Sequence, residues 1–189
     1  MKKLLVMLLS VLMVLTLAGC SSNGGSSEQP EGSFEETKTL KIGVVQLVQH
    51  AALDAATQGF VDEVKKAFPD ADINVQNAAG DSATCSTIVQ GFVNDGVDMI
   101  MANATPALQA AVSATEDIPI LGTSVTEYGV ALGIDGFNGL IGSNVSGTSD
   151  LAPLDQQAQM ILDLFPETKT VGIIFCSNEA NSKIGRAHV

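Results

Sequence analysis

Residues 40–47 (LKIGVVQL) form a short apolar run with β-branched Ile42, Val44 and Val45, the pattern of a strand covered on both faces. Residues 48–52 read as a turn. From Leu53 the apolar positions Leu53, Ala56, Phe60, Val64 and Ala67 recur three and four apart, which predicts a helix. The alternation then repeats. Residues 71–78 alternate as a strand, and residues 82–93 carry a helical stripe of Ile88, Val89, Phe92 and Val93. Residues 97–102 predict a third strand, residues 106–115 a third helix with Pro106 in its first turn, and residues 118–122 a fourth strand. Strands alternating with helices of this length predict an α/β fold, a doubly wound parallel sheet forming one lobe over residues 39–143.

Beyond it the pattern weakens. Residues 128–143 are Gly-rich and predict a strand fragment and loops, with residues 144–150 as an extended crossover. Residues 153–165 predict a helix that turns Met160, Ile161, Leu164 and Phe165 toward a core and stops at Pro166; residues 170–176 predict another buried strand. This pair, within residues 144–183, begins a second α/β unit but is too little to cover its own apolar faces or pair its strand edges. Residues 184–189 (IGRAHV) continue no pattern, and one set of codons for them spells a common sequencing-library adapter. We therefore expect a non-native tail there and give Arg186 and His188 no functional weight.

The N-terminal pattern differs in kind. Lys2 and Lys3 precede an apolar run from Leu4 to Leu17, shorter than the roughly 20 residues of a membrane span, and Leu17-Ala18-Gly19-Cys20 follows. This predicts a lipoprotein signal peptide over residues 1–19, with Cys20 lipidated after cleavage; the competing reading is an uncleaved anchor with an incidental cysteine. Two or more acyl chains on Cys20 would hold the chain stably at a membrane surface. Residues 20–38, rich in Ser, Gly, Glu and Pro, predict a flexible linker. Losing Lys2 and Lys3 takes the net charge from −12 to about −14. So acidic a chain excludes nucleic acid as a partner and disfavours docking on anionic lipid.

Cys85 and Cys176 have no metal-ligand spacing and no CxxC, and read as two buried or half-buried thiols, with a bridge the unsupported alternative. No Walker loop, GxGxxG, GxSxG or HExxH occurs, so we expect no enzyme, no cofactor and no metal. In a parallel sheet ligands sit beyond the carboxyl ends of the strands, which brings three loops to one rim. The first is residues 46–54. The second is residues 102–106, where Thr105 is placed to cap a helix whose free N–H groups favour an anion such as a carboxylate. The third is residues 123–128, with hydroxyls on Ser124 and Thr126 and the ring of Tyr128. Each has a plainer reading. Thr105, Ser124 and Thr126 serve caps and turns equally well, His50 suits a loop, Asp54 suits a helix start without any ligand, and Tyr128 suits an ordinary loop.

The stretches KIGVVQLVQHAALDAATQGF, QNAAGDSATCSTI, VDMIMANATPALQAA, IPILGTSVTE, NVSGTSD and SNEANS, in that order, resemble the ABC-transporter substrate-binding lipoproteins of the TrpX-like (tryptophan or aromatic amino acid) family. The resemblance implies the type I periplasmic-binding fold, two α/β lobes closing on a small ligand that is passed to a membrane permease, here by a monomer. It implies a ligand site of Gln46, His50, Leu53, Asp54, Thr105, Ser124 and Thr126 from the first lobe, and Glu179, Asn181 and Ser182 from the second. Asp54 or Glu179 would meet an ammonium group. Four positions depart from the family's pattern: Ala51 where Pro is usual, Glu127-Tyr128 where Asp-Pro is usual, and Cys85 where a polar residue is usual. With the second lobe only begun, this chain is expected to bind weakly or not at all. A ligand-sensing domain of a membrane receptor is the alternative function.

Overall fold

The computed structural model describes residues 38–188; the signal, Cys20 and the linker to residue 37 lie outside them. Strands β1 (Lys41–Gln46), β2 (Asp72–Asn77), β3 (Met99–Asn103), β4 (Ile120–Val125) and β5 (Val145–Ser149) form one sheet in the order β2-β1-β3-β4-β5, every pair parallel. Helices α1 (Ala51–Ala67), α2 (Ser82–Asp95), α3 (Thr105–Ala114) and the short α4 (Tyr128–Leu132) lie between the strands; α5 (Leu154–Leu164) and a 3-10 helix (Asn181–His188) follow β5. Central β1 is buried from Ile42 to Gln46, whereas edge strand β2 has no fully buried residue, which is why its sequence alternates and that of β1 does not.

The core lies on both faces of the sheet. On one, Val45, Ile100 and Ala102 meet Val89 and Phe92 of α2 and Leu108 and Ala111 of α3. On the other, Ile42, Val44 and Met101 are covered by Phe60 and Val64 of α1. Two close approaches fix the packing. A Cβ on Gly43 would stand 2.5 Å from the ring of Phe92, so only glycine lets that ring lie against β1. Gly122 and Gly147, paired between β4 and β5, leave room for the phenol of Tyr128, whose hydroxyl would be 2.5 and 2.0 Å from Cβ atoms there.

Several expectations are corrected. β4 runs on to Val125, so Ser124 lies within a strand irregularity, at φ 54, rather than in a free loop. Residues 144–150, expected as an extended crossover, are extended and in addition pair with the open edge of β4 as a fifth strand. Tyr128 is no loop residue: it opens α4, is buried, and donates from its hydroxyl to Thr148 O at 3.3 Å. None of α5 is buried, and residues 170–176 form no strand, with Ile174 fully exposed. A strand forms only beside a partner, and none of the sheet's edges reaches this segment. Cys85 is buried as expected, which pushes its thiol pKa up, but Cys176 is exposed, because the segment before it joins no sheet; both are free.

Tyr128 carries a pH prediction. Burial, and then the charge of Asp150, push its pKa up to about 12, whereas an unfolded tyrosine titrates near 10. Its contribution is therefore intact below about pH 10 and lost as pH rises toward about 12, on the order of 2 kcal/mol in all. It is the chain's single tyrosine, so tyrosinate absorbance reads it alone. We expect titration and alkaline unfolding to coincide in the wild type, and the extra alkaline loss to vanish in Tyr128→Phe.

Candidate functional site

The strand order reverses between β1 and β3, and a ligand crevice in an open parallel sheet forms beyond the carboxyl ends at that point. Gln46 and Asn103, the last residues of β1 and β3, are register partners there. Gln46 also faces Asn77 on β2, and Asn103 faces Thr123 on β4. Four neighbouring strands thus present a row of amides and a hydroxyl at one rim. Three non-glycine residues with positive φ, Ala79, Ala104 and Ser124, lie at the same ends of β2, β3 and β4. Ala104, at φ 93 and ψ 156, holds a backbone conformation that is almost confined to glycine.

The first loop is tied together by side chains. Gln46 is buried, and its Nε2 donates to Val48 O at 2.9 Å and to Asp54 Oδ1 at 2.6 Å. Thr57 Oγ1 donates to Gln46 Oε1 at 2.7 Å. Asn103 Nδ2 in turn donates to Thr57 Oγ1 at 2.9 Å and to Leu53 O at 2.8 Å. Beside these residues lies a cavity of about 360 Å³, lined by Gln46, Asp54, Thr57, Gln58 and Asn77, with Val75 its one apolar member. Its only ionisable lining group is Asp54, so it offers a carboxylate and no cation.

The helix starts at the rim differ. His50 caps α1, accepting from Ala52 N at 3.3 Å, and Ala51 occupies the first helical position, where proline is favoured. Asp81 caps α2; its bonds from Thr84 Oγ1 and Ala83 N hold its carboxyl below the usual range. The cap position of α3 is Ala104, with no side-chain bond, and Thr105 is instead the buried first residue of the helix, correcting the expected cap. The first-turn N–H groups of Thr105 and Ala107 have no intrahelical acceptor, and Pro106 has none to offer. Glu127 caps α4 through both carboxylate oxygens, to Gly129 N at 2.7 Å and Val130 N at 2.6 Å.

Of the residues expected at the site, the structure joins Gln46 and Asp54 directly and places Leu53 beside them through Asn103. His50 is an exposed cap, Thr105 is covered, and Thr126 contributes its carbonyl to Ser149 Oγ at 2.7 Å. Glu179, Asn181 and Ser182 are half-buried in the turn and 3-10 helix after residue 176. Sequence reasoning missed Thr57 and Asn103. Asn103 is fully buried. The signal that would have found it is that β1, β2 and β3 each end on an amide, Gln46, Asn77 and Asn103. Among the described residues no cluster of His, Cys, Asp or Glu is arranged to hold a metal, and no helix is long and apolar enough to cross a membrane.

The family described as ABC transporter substrate binding protein matches residues 41–186. The chain belongs to this family. As a member of it, the chain is 41% identical to a tyrosine-binding protein of Clostridioides difficile (strain R20291), over 97% of this chain and 54% of that protein. Its fold is similar to a conserved domain protein of Vibrio cholerae (TM-score 0.73, 34% identity, 80% of this chain and 53% of that one). It is equally similar to an ABC domain from Streptococcus pneumonia in complex with L-Trp (TM-score 0.72, 34% identity, 79% and 51%). The ligand-free, open form of a substrate-binding protein with adhesive properties from Clostridium difficile matches at TM-score 0.62 and 40% identity, over 79% and 52%. The chain spans about half the length of these relatives, and its five-stranded parallel sheet corresponds to one lobe of the periplasmic-binding fold.

Proposed function

We propose that this substrate-binding protein captures an amino acid, with an aromatic side chain, outside the cytoplasm and passes it to the permease of an ABC importer. The observation that carries the reading is the rim at the β1–β3 switch point, where the half-buried carboxylate of Asp54 is oriented by Gln46 beside a polar cavity without a cation. Asp54 meets the ligand's ammonium, and the uncapped start of α3, with Thr105 covered beneath it, favours the ligand's carboxylate through its helix dipole. Ser124 and Thr126 add polar groups, and Glu179, Asn181 and Ser182 close on the ligand from the second lobe. The names of the relatives that bind tyrosine and L-Trp support the ligand class.

The protein works as a carrier without catalysis, as a monomer held at the membrane through Cys20. A thermal-shift screen of the common amino acids against the complete gene product tests the reading. An aromatic amino acid at a hundred times its Kd should stabilise the protein by about 2.7 kcal/mol. If no amino acid shifts the midpoint, the reading fails.

A further inference from the structure

The hydrogen bonds behind Asp54 run in one direction only. Leu53 O can only accept, so the Asn103 atom facing it must be the amide nitrogen. That nitrogen's other hydrogen goes to Thr57 Oγ1, which leaves the single hydroxyl hydrogen of Thr57 for Gln46 Oε1. With its oxygen so engaged, Gln46 turns its nitrogen to two acceptors, Val48 O and Asp54 Oδ1. A backbone carbonyl therefore fixes each amide, and the chain of donors ends on the carboxylate at the rim. Asn103 Oδ1 is left buried with no partner, an arrangement that is costly for a side chain present only to fill space.

We propose that Asn103 and Thr57 are positioning residues for ligand binding: their one-way hydrogen bonds hold Gln46 so that Asp54 keeps one oxygen on the protein and turns the other toward the ligand's ammonium. This rests on the reading of Asp54 given above. Both act through the carboxylate.

The test is a double-mutant cycle on the complete gene product, read by calorimetry with L-tyrosine or L-tryptophan, whichever gives the larger thermal shift. Thr57→Val keeps the shape and removes the hydroxyl, and we expect it to weaken binding about tenfold. Thr57→Ser keeps the hydroxyl and should stay within about twofold of the wild type. In an Asp54→Asn background, Thr57→Val should cost less than about twofold, because the group it positions is already gone. Asn103→Leu should follow Thr57→Val, with unfolding midpoints measured for every variant. A Thr57→Val penalty equal in both backgrounds, or absent from the wild type, overturns the positioning role and leaves Asp54 in place. An Asp54→Asn variant that binds like the wild type overturns the reading of Asp54, and this inference with it.

Discussion

Replacing Gly43 by Ala is expected to destabilise the fold by roughly 2–3 kcal/mol and to lower the thermal midpoint by about 5–10 °C. The new methyl would stand 2.5 Å from two ring carbons of Phe92, a side chain with no exposed surface. The ring has nowhere to go, since Val89 and Leu108 belong to the same packed cluster. Relief requires pushing α2 off β1, one of the contacts that build the core of that face. Calorimetric unfolding of Gly43→Ala checks the figure. Adding Phe92→Leu to Gly43→Ala should cost less than the two single changes summed, because the smaller side chain vacates the space the methyl needs. Strict additivity would mean that the two sites do not press on one another.

The second large effect falls on binding. Asp54→Asn should weaken capture of an amino acid on the order of a hundredfold, about 2.7 kcal/mol, through loss of the charge that faces the ammonium. Stability should change by less than about 1 kcal/mol, since the amide oxygen of Asn can still accept from Gln46 Nε2 and the side chain is only half-buried. Titration calorimetry beside thermal unfolding separates the two quantities. Equal losses in both would make Asp54 a structural residue.

The fold was legible where burial wrote a period into the chain. Ile42, Val44 and Val45 mark a strand covered on both sides, and Phe60 and Val64 mark the face of α1 that covers it. Boundaries failed where a polar residue ended an element. The strand pattern of β4 stops at Gly122 because Thr123 and Ser124 look like a loop, yet they continue the strand through an irregularity that a left-handed Ser124 makes possible. Tyr128 looks like a loop residue in the sequence because nothing in its neighbourhood reveals that Gly122 and Gly147, remote from each other in sequence, make a floor for its ring. Residues 170–176 have the composition of a buried strand, but burial is a property of neighbours, and the described residues provide none.

The site was half legible for a similar reason. Gln46 and Asp54 stand on one short loop and follow from the rule that ligands gather at the carboxyl ends of parallel strands. Thr57 sits three residues further into a helix, on the face that reads as packing, and Asn103 is the last residue of a different strand. Only the parallel register of β1 and β3 brings Asn103 beside Gln46. The three side-chain helix caps at the rim, His50, Asp81 and Glu127, each accept from the backbone of their own helix.

The most direct measurement is an amide NMR titration of the chain with L-tyrosine and L-tryptophan at millimolar concentration. The rim reading predicts shifts concentrated on Gln46 to Asp54, on Thr57 and Asn103, and on Thr105 and Ala107 at the start of α3. Shifts confined to the separate groove of about 320 Å³ between Phe60, Leu121 and Thr148 would contradict it.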